Sequence, residues 1–230
     1  MAEKNRHGRR CKRNSYIVKC QYHDYVLESD SDSERDNIKH DNIKHDCGKG
    51  GLTKYDQLKC CLRVEFRKLW SEHAIYTKFF VNSVLANIPD ADLLAARLLE
   101  NQDDIGNFVK KFVSVSNGNT LTKLLQQHIL AAAAAVKAVK SGNQQVIDDA
   151  VRKVFQNSRE VSSFISSLNP NKLPFKVVLK HFDEHNQFVI DMTVARNSGN
   201  FEKDIKLFDA YYSQILDFSD LLLKGLVTRC

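Results

Sequence analysis

Three histidines at near-regular spacing are the residues of this sequence best suited to chemistry. His73 precedes His128 by 55 residues, and His128 precedes His185 by 57. Each lies in a stripe of apolar residues spaced three or four apart, the pattern of one buried helix face. The spacing therefore predicts three histidines that point into a helical interior.

Two roles are open for these histidines. In the structural alternative, which we favour, each buried imidazole hydrogen-bonds an amide, and Asn157 and Gln214 lie at matching positions after His128 and His185. In the second alternative the imidazoles bind a transition metal or a small ligand, since imidazole suits zinc, iron and copper. Asn101 or Gln102 falls near the corresponding position after His73.

The carboxylates nearest these histidines do not add to a metal site. Glu72 and Glu184 each sit directly beside a histidine, so on a helix they point sideways. The sequence contains no Glu-x-x-His. A di-iron carboxylate site of the ferritin type is therefore not expected.

Helical periodicity positions the histidines. We predict six helices, over about residues 55–87, 90–115, 120–140, 144–168, 174–197 and 201–226, with a break in the second near Asn101 and a loop at 117–119. Thr120 is the expected cap of the third helix. The predicted fold is an all-α, up-and-down helical bundle of about six helices.

An internal repeat is expected in this bundle. Two hairpins turn on the same tripeptide, Ser141-Gly142-Asn143 and Ser198-Gly199-Asn200, at an offset of 57 residues that also maps His128 onto His185 and Asn157 onto Gln214. The hairpin that carries His73 fits this register more loosely. The sequence therefore predicts three repeated helical hairpins.

The first 53 residues have a different composition. Residues 21–46 hold three Lys/Arg against eight acidic residues, an acidic serine run spans 29–34, and a pentapeptide occurs twice in tandem at 36–45. Such a segment has too few apolar side chains to form a core. We predict a disordered charged tail over 1–53 and a helical domain over 54–230.

Several classes of function lack their motifs. The sequence has no Walker loop, no dinucleotide-binding fingerprint, no Gly-x-Ser-x-Gly and no zinc finger. Its net charge of +6 is spread too thinly over the helices to favour nucleic acid. It shows no signal peptide and no run of eighteen apolar residues, so we expect a cytoplasmic protein with six reduced cysteines and no membrane contact.

The stretch from Leu69 to Leu226 resembles a family of uncharacterised bacterial all-helical proteins. The matching residues are Leu69-Trp70-Ser71-Glu72-His73, Thr77, Pro89-Asp90, Arg97-Leu98-Leu99, Asn101, Asp104-Ile105-Gly106, Leu121-Thr122, Leu125, His128-Ile129, Asn157, Ser166-Ser167-Leu168-Asn169-Pro170, Glu184-His185, Ala195-Arg196 and Asp209. The resemblance implies an all-α fold. It also adds Asp209 as a candidate to support the site.

The sequence departs from this family at three positions. Members carry histidine where this chain has Gln214, and Tyr-Gly where it has Phe112 and Val113. A repeat-bearing acidic tail on a bacterial-type domain fits a large DNA virus, in which case the location is the host cytoplasm. Some members are labelled transferases or kinases, but no motif of this chain supports either activity.

The function expected from the sequence is that of a non-catalytic helical-bundle protein that binds an unidentified protein or small molecule. The alternative is a bundle, with or without enzymatic activity, that binds a metal or small ligand through His73, His128 and His185. Asn101, Asn157, Gln214 and Asp209 are the candidates to hold these ligands from behind.

Overall fold

Six helices form the described part of the chain after residue 53. The computed structural model describes residues 16–20, 23–27 and 54–227. The helices are α1 (Lys54–Ala86), α2 (Ala91–Val109), α3 (Val115–Ser141), α4 (Gln144–Leu168), α5 (Phe175–Asn197) and α6 (Phe201–Leu226). No strand occurs between residues 54 and 227. The predicted all-α bundle is confirmed.

Short turns join consecutive helices, so that each packs antiparallel to the one before it. Gly142 and Gly199 take positive φ angles of 68° and 76° between α3 and α4 and between α5 and α6. Asn143 and Asn200 then cap the next helix, each accepting a backbone N–H with its side chain. The two predicted Ser-Gly-Asn turns are thereby confirmed.

Two predicted features of α2 and α3 are wrong. Helix α2 is continuous through Asn101, and α3 begins at Val115 rather than after Thr120. The cap is Ser114, whose hydroxyl accepts the backbone N–H of Asn117 at 3.1 Å. This bond draws residues 117–119, predicted as a loop, into the first turns of α3.

The compact unit that spans residues 63–227 also contains a buried ionic cluster. Asp204 is fully buried and pairs with Lys78 of α1 and with Arg196 of α5. The Arg196 Nη1 to Asp204 Oδ2 distance is 3.1 Å. Because a buried carboxylate requires such partners, the cluster ties α1, α5 and α6 together.

The other compact unit, residues 1–62 with 228–230, contains a two-stranded hairpin. Strands β1 (Tyr16–Cys20) and β2 (His23–Leu27) pair antiparallel, with Tyr16 opposite Leu27. The aromatic and β-branched residues of these strands favour extended backbone. The disordered tail over 1–53 stays a prediction. The acidic serine run and the pentapeptide repeat lie outside the described residues, and the domain boundary at residue 53 stays a prediction.

Two further findings concern sequence expectations. Cys60 is disulfide-bonded, so the prediction of six reduced cysteines is wrong at this position. Among the described residues, the helices are too short or too polar to cross a membrane.

Candidate functional site

The three predicted histidines meet in the interior of the bundle. His73 of α1, His128 of α3 and His185 of α5 are all buried. The ring centroids of His73 and His185 are 5.4 Å apart, and those of His128 and His185 are 5.8 Å apart. Because α1, α3 and α5 run in the same direction, each histidine reaches the same level of the bundle.

A small cavity lies between the three imidazoles. Its volume of ≈ 20 Å³ is on the order of the space that one water or one ion needs, and is too small for an organic substrate. Apart from the histidines and Thr77, its lining is apolar: Phe80, Ala95, Leu98, Ile129, Ala132, Ala133, Val136 and Val189. The wall of the cavity is almost entirely apolar, and the imidazoles contribute only a small polar surface to it.

An amide of α4 orients His128. Its Nδ1 lies 2.8 Å from Asn157 Oδ1, and Asn157 Nδ2 donates to the Leu124 carbonyl at 3.4 Å. Because the amide oxygen can only accept, Nδ1 of His128 carries the proton and Nε2 presents a lone pair. That Nε2 is buried and has no hydrogen-bond partner.

At His73, two amide side chains of α2 make the two kinds of contact that Asn157 alone makes at His128. Gln102 Nε2 lies 3.3 Å from His73 Nδ1, while Asn101 Nδ2 donates to the Leu69 carbonyl at 3.0 Å. Gln102 Nε2 also donates to Asn101 Oδ1 at 3.1 Å. The same nitrogen also donates to the Leu98 carbonyl at 2.9 Å. Its two hydrogens thus face three acceptors, of which His73 is the most distant, and the contact does not assign the tautomer of His73.

His185 lacks the corresponding bond. Gln214 of α6 donates to the His181 carbonyl at 2.8 Å. Its Oε1 and the Nδ1 of His185 are both buried without a partner. The third imidazole is therefore the least constrained of the three.

The same sequence separations recur in these contacts. Gln102 and Asn157 each contact the histidine 29 residues before them. Gln214 follows His185 by the same separation but donates to the His181 carbonyl instead. In each hairpin an amide side chain also donates to the backbone carbonyl of the residue one turn before the histidine. The donor lies 32, 33 and 33 residues after the residue that carries this carbonyl. Of the predicted supporting residues, Asn101, Asn157 and Gln214 thus lie beside the site.

Burial keeps all three imidazoles neutral. Desolvation, together with repulsion from the nearby His128, lowers the pKa of His73 to about 3. Desolvation also lowers the pKa of His128, and it lowers that of His185 well below the usual value, with added repulsion from His73 and His128. A neutral imidazole is the form that binds metal ions.

Asp209 does not belong to the site. It is exposed on α6, so its candidacy as a supporting residue is withdrawn. The sequence prediction missed Tyr211, which is fully buried with its ring centroid 5.2 Å from that of His185 and its hydroxyl unpartnered. The buried face of α6 runs through Tyr211, Ile215 and Phe218.

The carboxylates beside the histidines point away from the cavity, as predicted. Glu72 pairs with Arg97 at 3.4 Å, and Glu184 pairs with Lys180 at 3.6 Å. Within residues 56–227, no group of three or more His, Cys, Asp or Glu side chains is placed to hold a metal ion. A metal at the three histidines would require the imidazoles to rotate toward one another.

Comparisons of the chain with protein-family models, with curated proteins and with solved structures return no match. The resemblance to bacterial all-helical proteins therefore stays a prediction.

Proposed function

We propose that this chain is a binding protein whose bundle holds one divalent transition-metal ion between His73, His128 and His185. The observation that carries the proposal is the convergence of three buried, neutral imidazoles on one cavity. Leaving such groups without partners is costly, about 1–3 kcal/mol for each buried polar atom. An ion would satisfy the nitrogens that the protein leaves unpaired.

The ring separations suit a shared ion. With metal–nitrogen bonds of about 2.0–2.1 Å, each ring centroid lies about 3.2 Å from the ion, and two rings at tetrahedral or trigonal angles lie roughly 5.2–5.5 Å apart. The separations of 5.4 and 5.8 Å in this protein are close to that range. Small rotations of the side chains would then bring the nitrogens to the ion.

The amide side chains would accept a hydrogen bond from the ring nitrogen that does not face the metal. Metal-binding histidines usually donate their second ring N–H to a carbonyl or carboxylate, which fixes the ring. Asn157 already accepts from His128 in this way. At His73, the side-chain amide of Gln102 would turn over so that its oxygen accepts the Nδ1–H of the imidazole.

The ligand set indicates the class of metal. Three imidazoles in an apolar cavity suit zinc, cobalt, nickel, iron or copper, whereas magnesium and calcium require oxygen ligands. The bound ion would keep one open position, since the three histidines supply three ligands. Because the cavity is small, only a molecule about the size of water could occupy this open position.

We infer in addition that the three helical hairpins are copies of one unit. The support is the recurrence of the separation of 29 residues between histidine and amide in all three. A site built from one histidine per copy is what such a repeat would place on a common axis.

The competing function is an interaction scaffold in which the histidines only stabilise the core. The contacts that amide side chains make with Nδ1 of His73 and of His128 favour this structural role. The Nε2 of His128 and the Nδ1 of His185, which lack hydrogen-bond partners, argue against the structural role. A buried imidazole that only stabilises the core is expected to have its nitrogens hydrogen-bonded.

Titration of the metal-free full-length chain with Co²⁺ separates the two functions. We expect one equivalent to bind with the visible absorption of a four-coordinate ion, and we expect His128→Gln to weaken binding more than about 100-fold, since even loss of a supporting residue costs 10–100-fold. Circular dichroism of the variant checks that it is folded.

The matched control is the double variant His40→Ala, His45→Ala, which removes a His/Asp tract able to collect metal adventitiously. This variant should bind Co²⁺ as the wild type does. Loss of binding in the control with binding intact in His128→Gln would refute the interior site.

A further inference from the structure

The cavity beside the histidines is bordered by equivalent positions of α1, α3 and α5. Thr77, Ala132 and Val189 each follow one of the three histidines by one helical turn, and all three line the cavity. Ala132 has the smallest side chain of the three. The cavity is therefore a gap that a methyl group leaves where the other two helices have larger side chains.

A second cavity, of ≈ 10 Å³, adjoins the first. Both cavities are lined by Ala132, Val136 and Val189, so the wall between them is apolar. Asn186 and Thr193 also line the second cavity, and both are hydrogen-bonded to protein groups. The two cavities thus form one apolar region of the interior.

Water is a poor occupant of the first cavity. A buried water needs roughly two to four polar partners, and an apolar cavity stays dry and takes up apolar molecules instead. The wall here is almost entirely apolar, with only a small polar surface from the imidazoles. The volume of ≈ 20 Å³ restricts an occupant to a molecule not much larger than water.

We propose that the metal-free chain binds a small uncharged, apolar molecule of the size of a diatomic gas in the cavity bordered by Thr77, Ala132 and Val189. Dispersion contacts with the wall would hold it. Ala95 of α2 and Ala133 of α3 line the cavity and are only half-buried, so the wall is thinnest between these two helices, where the molecule would enter.

This inference does not depend on the metal site. The apolar molecule would occupy the cavity with the imidazoles as they stand, whereas a metal ion would require them to rotate. Binding of the two ligands is therefore measured separately.

Dioxygen serves as the probe, because its paramagnetism speeds the relaxation of protons that it approaches. Methyl relaxation of the metal-free full-length protein is measured by nuclear magnetic resonance under pressurised dioxygen and under nitrogen. The reference methyl groups are those of Val161 and Ile215, which are fully buried but line neither cavity. We expect the methyl groups of Ala132, Val136 and Val189 to show an enhancement at least about threefold larger than the reference.

Ala132→Val tests whether the gap beside Ala132 is the site. It gives α3 the side chain that α5 has at the equivalent position, and we expect the enhancement at Val136 and Val189 to fall to the reference level. The matched control is Ala134→Val, the same change at an exposed position of the same helix. This control should keep the enhancement of the wild type.

Equal enhancement at the cavity and reference methyl groups of the wild type would overturn the proposal. A long-lived water that cross-relaxes with the Ala132 methyl group would also overturn it, because the cavity would then be hydrated. An enhancement that Ala132→Val leaves unchanged would do the same. Failure of the wild type to bind Co²⁺ would overturn the proposed function and leave this inference in place.

Discussion

At the scale of single residues, burial holds the interior histidines in their neutral form. Surrounded by apolar side chains, each is held neutral, and the repulsion between neighbouring imidazoles acts in the same direction. This arrangement opposes protonation in the folded state while the unfolded chain protonates normally. The consequence is a stability that depends on pH in a defined direction.

We expect the free energy of unfolding of the metal-free protein to fall as the pH drops below 6.5. The folded-state pKa values are lowered, so the unfolded state binds more protons between pH 6.5 and the folded pKa, which is about 3 for His73. A histidine held neutral by the fold then lowers the free energy of unfolding by about 1.4 kcal/mol for each pH unit below 6.5, and above pH 6.5 none of this loss is present. Urea unfolding at pH 7.0, 6.0, 5.0 and 4.5, about the span of this window, measures it.

The variant His73→Gln isolates this term from the carboxylates, which titrate in the same range. Its unfolding free energy should depend less steeply on pH than that of the wild type, by about 1.4 kcal/mol per unit. Parallel curves for the two proteins between pH 6 and 4.5 would show that His73 is not held neutral by the fold.

The histidines could be predicted from the sequence because their stripes of apolar neighbours fix the buried face of each helix. Tyr211 could not, because Tyr211 and Tyr212 are adjacent aromatic residues and either one continues an apolar stripe along α6. Only the packing of α6 decides between them, and it buries Tyr211 completely. Asp209 came from the resemblance alone, with no periodicity to support it.

At the scale of elements, the contact of α2 with α3 depends on two glycines. A methyl group at Gly106 would overlap Thr122 Oγ1 and lie 3.1 Å from its Cβ. Thr122 is buried, and its hydroxyl donates to the Gly118 carbonyl at 3.1 Å. At Gly118 a methyl group would instead meet the side chain of Lys110, which is only half-buried and can turn aside.

Gly106→Ala and Gly118→Ala are therefore a matched pair with different expected outcomes. Gly106→Ala should destabilise the protein by about 1–3 kcal/mol, the usual cost of forcing extra volume into a packed interior. Gly118→Ala should change stability by less than about 1 kcal/mol, since the gain in helix propensity offsets the displacement of Lys110. Thermal unfolding measures both, and equal losses would mean that the two helices do not meet as described.

Helix ends could be predicted where proline or a Ser-Gly-Asn turn marks them, and the ends of α4 and α6 agree with the sequence. The start of α3 could not, because the sequence offers two hydroxyl caps, Ser114 and Thr120. Asn117 and Gly118 favour turns locally, yet burial of Gly118 against α2 outweighs that preference. Tertiary contacts decided the boundary, and single-residue propensities cannot represent them.

At the scale of the whole molecule, the alternating direction of the helices explains why one histidine per hairpin forms a single site. Helices α1, α3 and α5 run in parallel, and a residue at the same height in each faces the common axis. This outcome follows from the spacing and from the short turns, both visible in the sequence. The pairing of the strands at 16–20 and 23–27 and the disulfide at Cys60 follow from neither, since helical spacing and helix turns carry no information about them.

The most direct test of the interior metal site is X-ray absorption spectroscopy at the metal edge of the Co²⁺- or Zn²⁺-loaded full-length protein. For the wild type we expect three imidazole nitrogens at about 2.0–2.1 Å from the metal, with the multiple scattering that imidazole rings produce. For His128→Gln loaded at high metal concentration we expect two imidazoles. A spectrum dominated by oxygen ligands, or one that His128→Gln leaves unchanged, would contradict the interior metal site.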